Sequence, residues 1–143
     1  MTQSEQAHWP CIDIGGEGSS AVRLEDASCL LRTTFQSIAA VNRSGISLID
    51  SHSNAFLVKN MRLRQPVGRL RLTLYRIANP FVDVEVDFVP QGTISLLEVK
   101  KRLKHNLDVN ADFWAEYGEM KDLSEALDGC RTLDEVFLLT FLR

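Results

Sequence analysis

The sequence predicts an α+β fold, in which an antiparallel sheet of about four strands is followed by a C-terminal set of helices packed on one face. Two patterns support this prediction. Apolar and polar residues alternate along much of 46–88, as in strands buried on one side. From residue 95 onward, apolar residues recur every three or four positions, as in helices. Strands that precede helices in this way are typical of α+β proteins.

The chain has 143 residues, the size of one ordinary domain. Residues 1–20 are polar and glycine-rich, and we expect them to form a flexible N-terminal segment. Residues 21–143 are then a single α+β domain. Four apolar residues of the first segment could still dock against the domain as one edge segment: Trp9, Cys11, Ile12 and Ile14.

Segment 24–39 is open to two interpretations. Leu31, Phe35 and Ile38 lie at helical spacing and would form part of one apolar face. Thr33 and Thr34, in contrast, favour a strand because they are β-branched. We expect a helix here, with a strand as the alternative.

A hairpin is predicted next. Ile46 and Leu48 alternate with polar positions, and the cluster 50–54 (Asp-Ser-His-Ser-Asn) is typical of a turn. Phe56 and Val58 then resume the alternation. We therefore expect two antiparallel strands joined at residues 50–54.

The strongest alternation lies in 70–75 and 82–88 and predicts a second hairpin, with its loop at 77–81. This register would place Leu74 opposite Val84 and Arg71 opposite Asp87. Apolar side chains would then meet on one face and opposite charges on the other.

The C-terminal part reads as helices. Two capping boxes, each a serine or threonine followed three residues later by glutamate, mark helix starts at Ser95 and Thr132. Further helical segments are predicted at 112–117 and 120–128. The last helix, 133–142, is apolar on nearly every side and therefore needs cover all round.

Charge is unevenly distributed along a chain whose net charge is −3. Residues 42–79 hold seven basic side chains and one acidic side chain. These arginines could pair with the acidic strand 82–88, or they could form a basic patch for an acidic partner. The arginines of the candidate patch are Arg62, Arg64, Arg69, Arg71 and Arg76.

Aromatic residues of the C-terminal part are candidates for either core or contact surface. Phe113, Trp114 and Tyr117 lie in a short acidic segment, and Phe137 and Phe141 lie in the last helix. Aromatic side chains anchor many interfaces, and they also fill gaps between helices. As contact residues they would bind another protein or a second copy of this chain, for example in a homodimer.

No catalytic, cofactor or metal motif is predicted. Cys11, Cys29 and Cys130 are too scattered for a zinc or redox motif, and they suit a reducing compartment. Neither a secretory signal nor a membrane-spanning segment is expected. We expect a cytoplasmic protein, and from its composition a bacterial one.

These observations favour a non-catalytic protein-binding module. In size and mildly acidic composition the chain resembles bacterial immunity proteins and antitoxins, a resemblance that implies occlusion of a basic partner. One alternative is a small enzyme with a pocket between sheet and helices, in which Asp50, His52 and His105 would meet. The other is nucleic-acid binding through the basic segment 62–76, although a sequence pI of about 5.6 is low for that function.

Overall fold

The computed structural model describes residues 7–15 and 20–142. Within these ranges the fold is α+β, as predicted, with one antiparallel sheet in the order β2-β1-β4-β5-β6-β3. The strands are β1 (Cys11–Asp13), β2 (Val22–Leu24), β3 (Arg32–Thr34), β4 (Ile46–Asp50), β5 (Asn54–Leu63) and β6 (Phe81–Thr93). The helices are α1 (Ser28–Leu31), α2 (Phe35–Ser44), α3 (Arg69–Ala78), α4 (Leu96–Val109), α5 (Ala111–Trp114), α6 (Met120–Asp128) and α7 (Leu133–Phe137), followed by a 3₁₀ turn (Thr140–Leu142).

Two hydrophobic clusters lie on opposite faces of the sheet. Successive strand residues point to opposite faces, so Leu48 and Ile49 of β4 belong to different clusters. Cluster 1 joins β1 and β4 to the C-terminal helices and contains, among others, Ile12, Ile49, Leu103, Leu107, Trp114, Leu127 and Phe141. Cluster 2 joins the strands to α1 and α2 and contains, among others, Cys11, Leu48, Phe56, Val58, Val84 and Phe88.

The sheet differs from the prediction in two respects. It has six strands in the described part of the chain instead of about four. Helices also cover both faces, because α2 packs Phe35, Ile38 and Val41 against cluster 2 while the C-terminal helices cover cluster 1. Strands such as β4 carry apolar side chains on both sides, and both sides therefore need cover.

The first predicted hairpin is confirmed. β4 and β5 pair antiparallel, with Leu48 opposite Phe56 and Ile46 opposite Val58. The turn between them contains Ser53, whose positive φ of 65° is typical of tight turns.

The second predicted hairpin is wrong, because residues 69–78 form α3 instead of a strand. β6 pairs with β5 on one side and with β3 on the other. Its acidic residues accordingly face Arg62 and Arg32, at N–O distances of 3.5 Å to Glu85 and 3.5 Å to Asp83, and not Arg71. Leucines at every second position also fit a helix, and the ten-residue β5 offers β6 a longer partner than 70–75 would.

Segment 24–39 contains both predicted structures. α1 and the start of α2 are helical, and between them Arg32–Thr34 forms β3, as the two threonines suggested. The N-terminal residues Cys11–Asp13 do not form an edge: β1 lies between β2 and β4. Of the predicted flexible segment, 1–6 and 16–19 lie outside the described residues.

Both predicted helix starts are confirmed, each with a hydrogen bond to the side chain of its first cap residue. Ser95 Oγ accepts a hydrogen bond from the backbone N of Glu98 at 3.2 Å, and Thr132 Oγ1 accepts one from the backbone N of Glu135 at 3.2 Å. The last helix is shorter than predicted, since α7 ends at Phe137 and the chain continues through a 3₁₀ turn.

Candidate protein-binding surface

Helix α3 begins after the break Gln65-Pro66-Val67-Gly68 and ends at Asn79, which adopts the left-handed conformation with φ 47°. Arginine and leucine are good helix formers, and proline cannot continue the preceding strand. None of the ten residues of α3 is buried. An isolated helix of this length is only marginally stable in water, so α3 depends on contacts with the rest of the chain or with a partner.

The contacts of α3 with its own chain are concentrated near its C-terminal end. Tyr75 packs edge-on against Phe35 of α2, with 5.5 Å between the ring centroids. Asn79 Oδ1 accepts a hydrogen bond from the backbone N of Gln36 at 2.8 Å. Pro80 O accepts another from the backbone N of Phe35 at 2.9 Å. These contacts hold one face of α3 toward α2 and leave the opposite face open.

The open face carries an apolar stripe. Leu70 and Ile77 are each 78% exposed, and Leu74 between them is also exposed. Residues separated by four and three positions lie on one side of a helix. Single exposed apolar residues are common, but three aligned on one helix face form a patch typical of a docking site.

Arginines flank the stripe. Arg69, Arg71 and Arg76 form no ion pair with any described residue, whereas Arg62 pairs with Glu85 and Asp87 on β6. Around the helix axis, Arg71 lies about 95° from the centre of the stripe on one side and Arg76 about 125° on the other side. We call the following set the α3 surface: Leu70, Leu74, Ile77, Arg69, Arg71 and Arg76.

A cavity adjoins the α3 surface on each side. On one side, a cavity of about 300 Å³ is lined by Arg71, Arg64 and Arg32 and also by Asp83, which pairs with Arg32. On the other side, Arg76 lines a groove of about 440 Å³ with Phe35 and Ile38 of α2. Open space therefore lies beside the stripe on both sides.

The predicted arginines thus separate into two groups. Arg64, Arg69 and Arg71 lie on or beside the α3 surface without an acidic partner in the described part of the chain, while Arg62 belongs to the sheet. There it bridges Glu85 and Asp87, at 3.5 Å and 3.4 Å. The pKa of Asp87 is lowered by the side-chain hydrogen bond from Asn60 and by Arg62. Partner binding by Arg62 stays a prediction.

The predicted aromatic residues also fall into two groups, one buried and one exposed. Trp114 is 1% exposed, and Phe137 and Phe141 are buried in cluster 1 with it. Trp114 Nε1 donates to Oδ1 of the buried Asn106 at 3.1 Å, so its polar atom is satisfied inside the chain. Tyr117 is exposed, and its ring lies 5.3 Å from that of Phe113, centroid to centroid.

Tyr117 belongs to a second exposed surface at the end of α4 and along α5. Val109, Phe113 and Tyr117 are exposed apolar or aromatic residues spaced four positions apart. Neighbouring carboxylates form no ion pair with the part of the chain that the structure describes. We call the following set the acidic surface: Val109, Phe113, Tyr117, Asp108, Asp112, Glu116 and Glu119.

The pocket expected for an enzyme lies between the sheet and α4. Its volume is about 400 Å³, and Ser47, Thr93 and Ser95 line it together with the ion-paired Glu98 and Arg102. His105 lines a neighbouring cavity of about 240 Å³. Neither lining includes Asp50 or His52, so neither cavity contains the expected catalytic set.

Asp50 organises the β4–β5 turn. The side chain is fully buried, and its Oδ1 accepts from the backbone N of His52 at 2.9 Å and of Asn54 at 2.8 Å. Its Oδ2 accepts from the backbone N of His8 at 3.0 Å. The imidazoles of His8 and His52 stack on each other at 3.7 Å, centroid to centroid. Backbone amides thus hold this carboxylate, which is how aspartate stabilises turns.

Two buried groups in β1 have strongly raised pKa values. Burial, followed by the nearby charge of Asp50, raises the pKa of the Cys11 thiol to about 12, which keeps it protonated and unreactive at neutral pH. Burial also raises the pKa of Asp13 to about 6, although Asp13 Oδ1 accepts a hydrogen bond from the backbone N of Gly15 at 2.8 Å.

In residues 7–15 and 20–142, no cluster of three or more histidine, cysteine, aspartate or glutamate side chains has a geometry suited to a metal ion. No helix in the same ranges has the length and apolar character needed to cross a membrane.

Sequence reasoning identified the arginines of the α3 surface but missed Leu70, Leu74 and Ile77 as its apolar part. The signal was their i, i+4, i+7 spacing, which becomes visible once 69–78 is taken as a helix. Comparisons of the chain with models of protein families, with curated proteins and with solved structures gave no match.

Proposed function

We propose that this protein is a non-catalytic protein-binding module whose α3 surface docks an acidic partner protein. A single observation carries the proposal: the ten-residue α3 buries none of its residues and presents Leu70, Leu74 and Ile77 to solvent. Each such side chain contributes about 1.5–3 kcal/mol when it is fully removed from water. A partner that covers this stripe would stabilise both the complex and the helix.

Charge defines the chemistry of that partner. Residues 64–78 contain Arg64, Arg69, Arg71 and Arg76 and no acidic residue. A surface that combines apolar anchors with unpaired arginines fits an acidic protein face, because opposite potentials speed up association and exclude partners of like charge. Arginine is also enriched at the centres of protein interfaces.

The acidic surface supports a second candidate, which is the occlusion of a basic partner in the manner of an immunity protein or antitoxin. Its four carboxylates lack cationic partners among the described residues, and Tyr117 is an exposed aromatic anchor. The α3 surface is the stronger candidate because α3 buries none of its residues, whereas α5 buries Trp114.

Site-specific photo-crosslinking in the native host tests the proposal. A photoreactive phenylalanine analogue replaces Leu74, and in a matched control it replaces Leu97, which is 79% exposed on α4. We expect position 74, and not position 97, to form an adduct with one acidic protein. The charge reversal Arg69→Glu/Arg71→Glu should abolish that adduct, because it removes the attraction without a strong helix penalty.

Three outcomes would contradict the proposal. The first is that positions 74 and 97 give the same adducts, or that neither gives one. The second is that the adduct at position 74 contains nucleic acid and disappears after nuclease treatment. The third is that purified protein cosediments with vesicles rich in anionic phospholipid and loses this property in Leu74→Asp, which would make α3 a basic membrane-surface helix.

A further inference from the structure

We propose that the partner of the α3 surface is a second copy of this chain, which contributes its acidic surface. The inference rests on the proposed function, because it identifies the acidic partner of that proposal as a second copy of this chain. The two surfaces are matched in charge and in apolar content, and a head-to-tail contact would join them.

Each surface carries unpaired charges of one sign, and further unpaired charges lie elsewhere on the described chain, for example at Asp122, Asp134, Lys101 and Arg131. The carboxylates of β6 and most other exposed acids of the described chain have a cationic or hydrogen-bonding partner, such as Lys104 for Asp128 and Arg102 for Glu98. The four carboxylates of the acidic surface have no ion-pair partner, and neither have Arg64, Arg69, Arg71 and Arg76. A contact between copies would therefore bring the three arginines of the α3 surface, and Arg64 beside them, toward the four carboxylates.

Each surface also carries three exposed apolar or aromatic side chains. Leu70, Leu74 and Ile77 project from α3, and the acidic surface presents Val109, Phe113 and Tyr117. Aromatic anchors against leucine are a common interface pairing, and desolvation by the apolar groups strengthens the surrounding ion pairs.

The two surfaces lie on opposite faces of the sheet. Tyr75 of α3 packs against cluster 2, whereas Trp114 of α5 belongs to cluster 1. One molecule therefore cannot join its own two surfaces. A two-fold contact of α3 with α3 would bring arginines together, so the arrangement favours a heterologous contact, which continues into a ring or an open chain.

Sedimentation velocity of the full chain, from micromolar to millimolar concentration, tests the inference. We expect wild-type protein to associate in a concentration-dependent manner at low salt and to dissociate at about 1 M salt, where the Debye length falls to about 3 Å. Leu97→Asp should behave like wild type. Leu97 lies about 18 Å along α4 from Val109, outside both surfaces.

Two charge reversals identify the surfaces involved. Two double variants should each be monomeric when tested alone, with association weakened at least about tenfold: Arg69→Glu/Arg71→Glu and Asp108→Lys/Glu116→Lys. An equimolar mixture of these two variants should associate again. Both reversals suit the helix dipole, since the first adds acids to the start of α3 and the second adds a base to the end of α4. Circular dichroism checks that each variant is folded.

The other results overturn the inference in distinguishable ways. If Asp108→Lys/Glu116→Lys associates like wild type, the contact is not head-to-tail. If wild type is monomeric at millimolar concentration while position 74 crosslinks to a different acidic protein, this inference fails and the proposed function stands. If wild type is monomeric and position 74 gives no specific adduct, both fail.

Discussion

Helices α2 and α3 have the same length of ten residues, lie next to each other and bury none of their residues completely. They differ in how they use their apolar side chains. α2 turns Phe35, Ile38 and Val41 toward cluster 2, whereas the stripe of α3 points to solvent. Equal length therefore does not produce equal attachment, and the poorly attached helix is the better candidate for binding.

The largest effect on stability is expected for a substitution at the end of α2. Gly45 follows α2 with φ 70°, and a Cβ there would lie 2.8 Å from Leu57 Cδ1 and 3.3 Å from Val58 O. We expect Gly45→Ala to lower the free energy of unfolding by about 2–4 kcal/mol, from backbone strain and a displaced side chain. Urea denaturation measures the loss.

Gly68, at the start of α3, is the matched control for Gly45. Its φ of −69° suits any residue, and no atom lies within 4 Å of an added Cβ. Gly68→Ala should cost less than about 1 kcal/mol. An equal loss for both variants would contradict the positive φ of Gly45 and the close approach of Leu57 to it.

A pH series separates the stability of the sheet from that of α3. Residues 64–78 contain no acid and no histidine, so α3 does not titrate between pH 4 and 8. Asp13 in β1 does, because its pKa is about 6 in the folded chain against 3.8 when unfolded. Between these two pKa values the folded state binds more protons than the unfolded state. The contribution of Asp13 to stability therefore falls as the pH rises through this window, and it stays low above it.

Asp13→Asn should therefore raise the free energy of unfolding by about 1–3 kcal/mol at pH 7 and leave it unchanged at pH 3. The amide oxygen keeps the acceptor for the backbone N of Gly15. Asp83→Asn, which changes an exposed carboxylate paired with Arg32, is the control and should shift stability by less than about 1 kcal/mol. A variant less stable than wild type at pH 7 would mean that the Asp13 carboxylate is not destabilised by burial.

The same two helices show how far the sequence alone predicts the fold. The β4–β5 hairpin was predictable because its alternation and its turn residues agree, and the capping boxes were predictable because they act within one helical turn. Leu70, Leu72 and Leu74 fit both a strand and a helix, so local sequence could not decide between them. The choice depended on which segment pairs with β6, and that competition is a property of the whole sheet.

The candidate site was predictable in its charge and not in its shape. The excess of arginine in 62–76 is visible in the sequence, but only the fold shows that Arg62 is engaged by Glu85 while Arg69 is not. For the aromatic residues, Trp114 and Tyr117 are three positions apart and differ completely in exposure. Burial of Trp114 in α5 depends on Asn106 of the preceding helix α4, whose side-chain oxygen accepts the indole N–H.

The smallest expected effect is also the most direct test, because α2 and α3 each contain an isoleucine. Ile38 is partly buried against cluster 2, and Ile77 is 78% exposed. Ile38→Ala should cost about 1–2 kcal/mol, less than the full loss for a core isoleucine. Ile77→Ala should change the free energy of unfolding of the monomer by no more than about 0.5 kcal/mol.

Ile77→Ala is most informative when its effects on unfolding and on association are both measured. A residue that contributes nothing to the monomer and yet weakens association in sedimentation velocity contributes only to the interface. We expect that combination for Ile77 and the reverse for Ile38, whose loss should affect unfolding and not association. If Ile77→Ala destabilises the monomer as much as Ile38→Ala does, the stripe of α3 is covered by its own chain in solution, and the basis for a docking surface is removed.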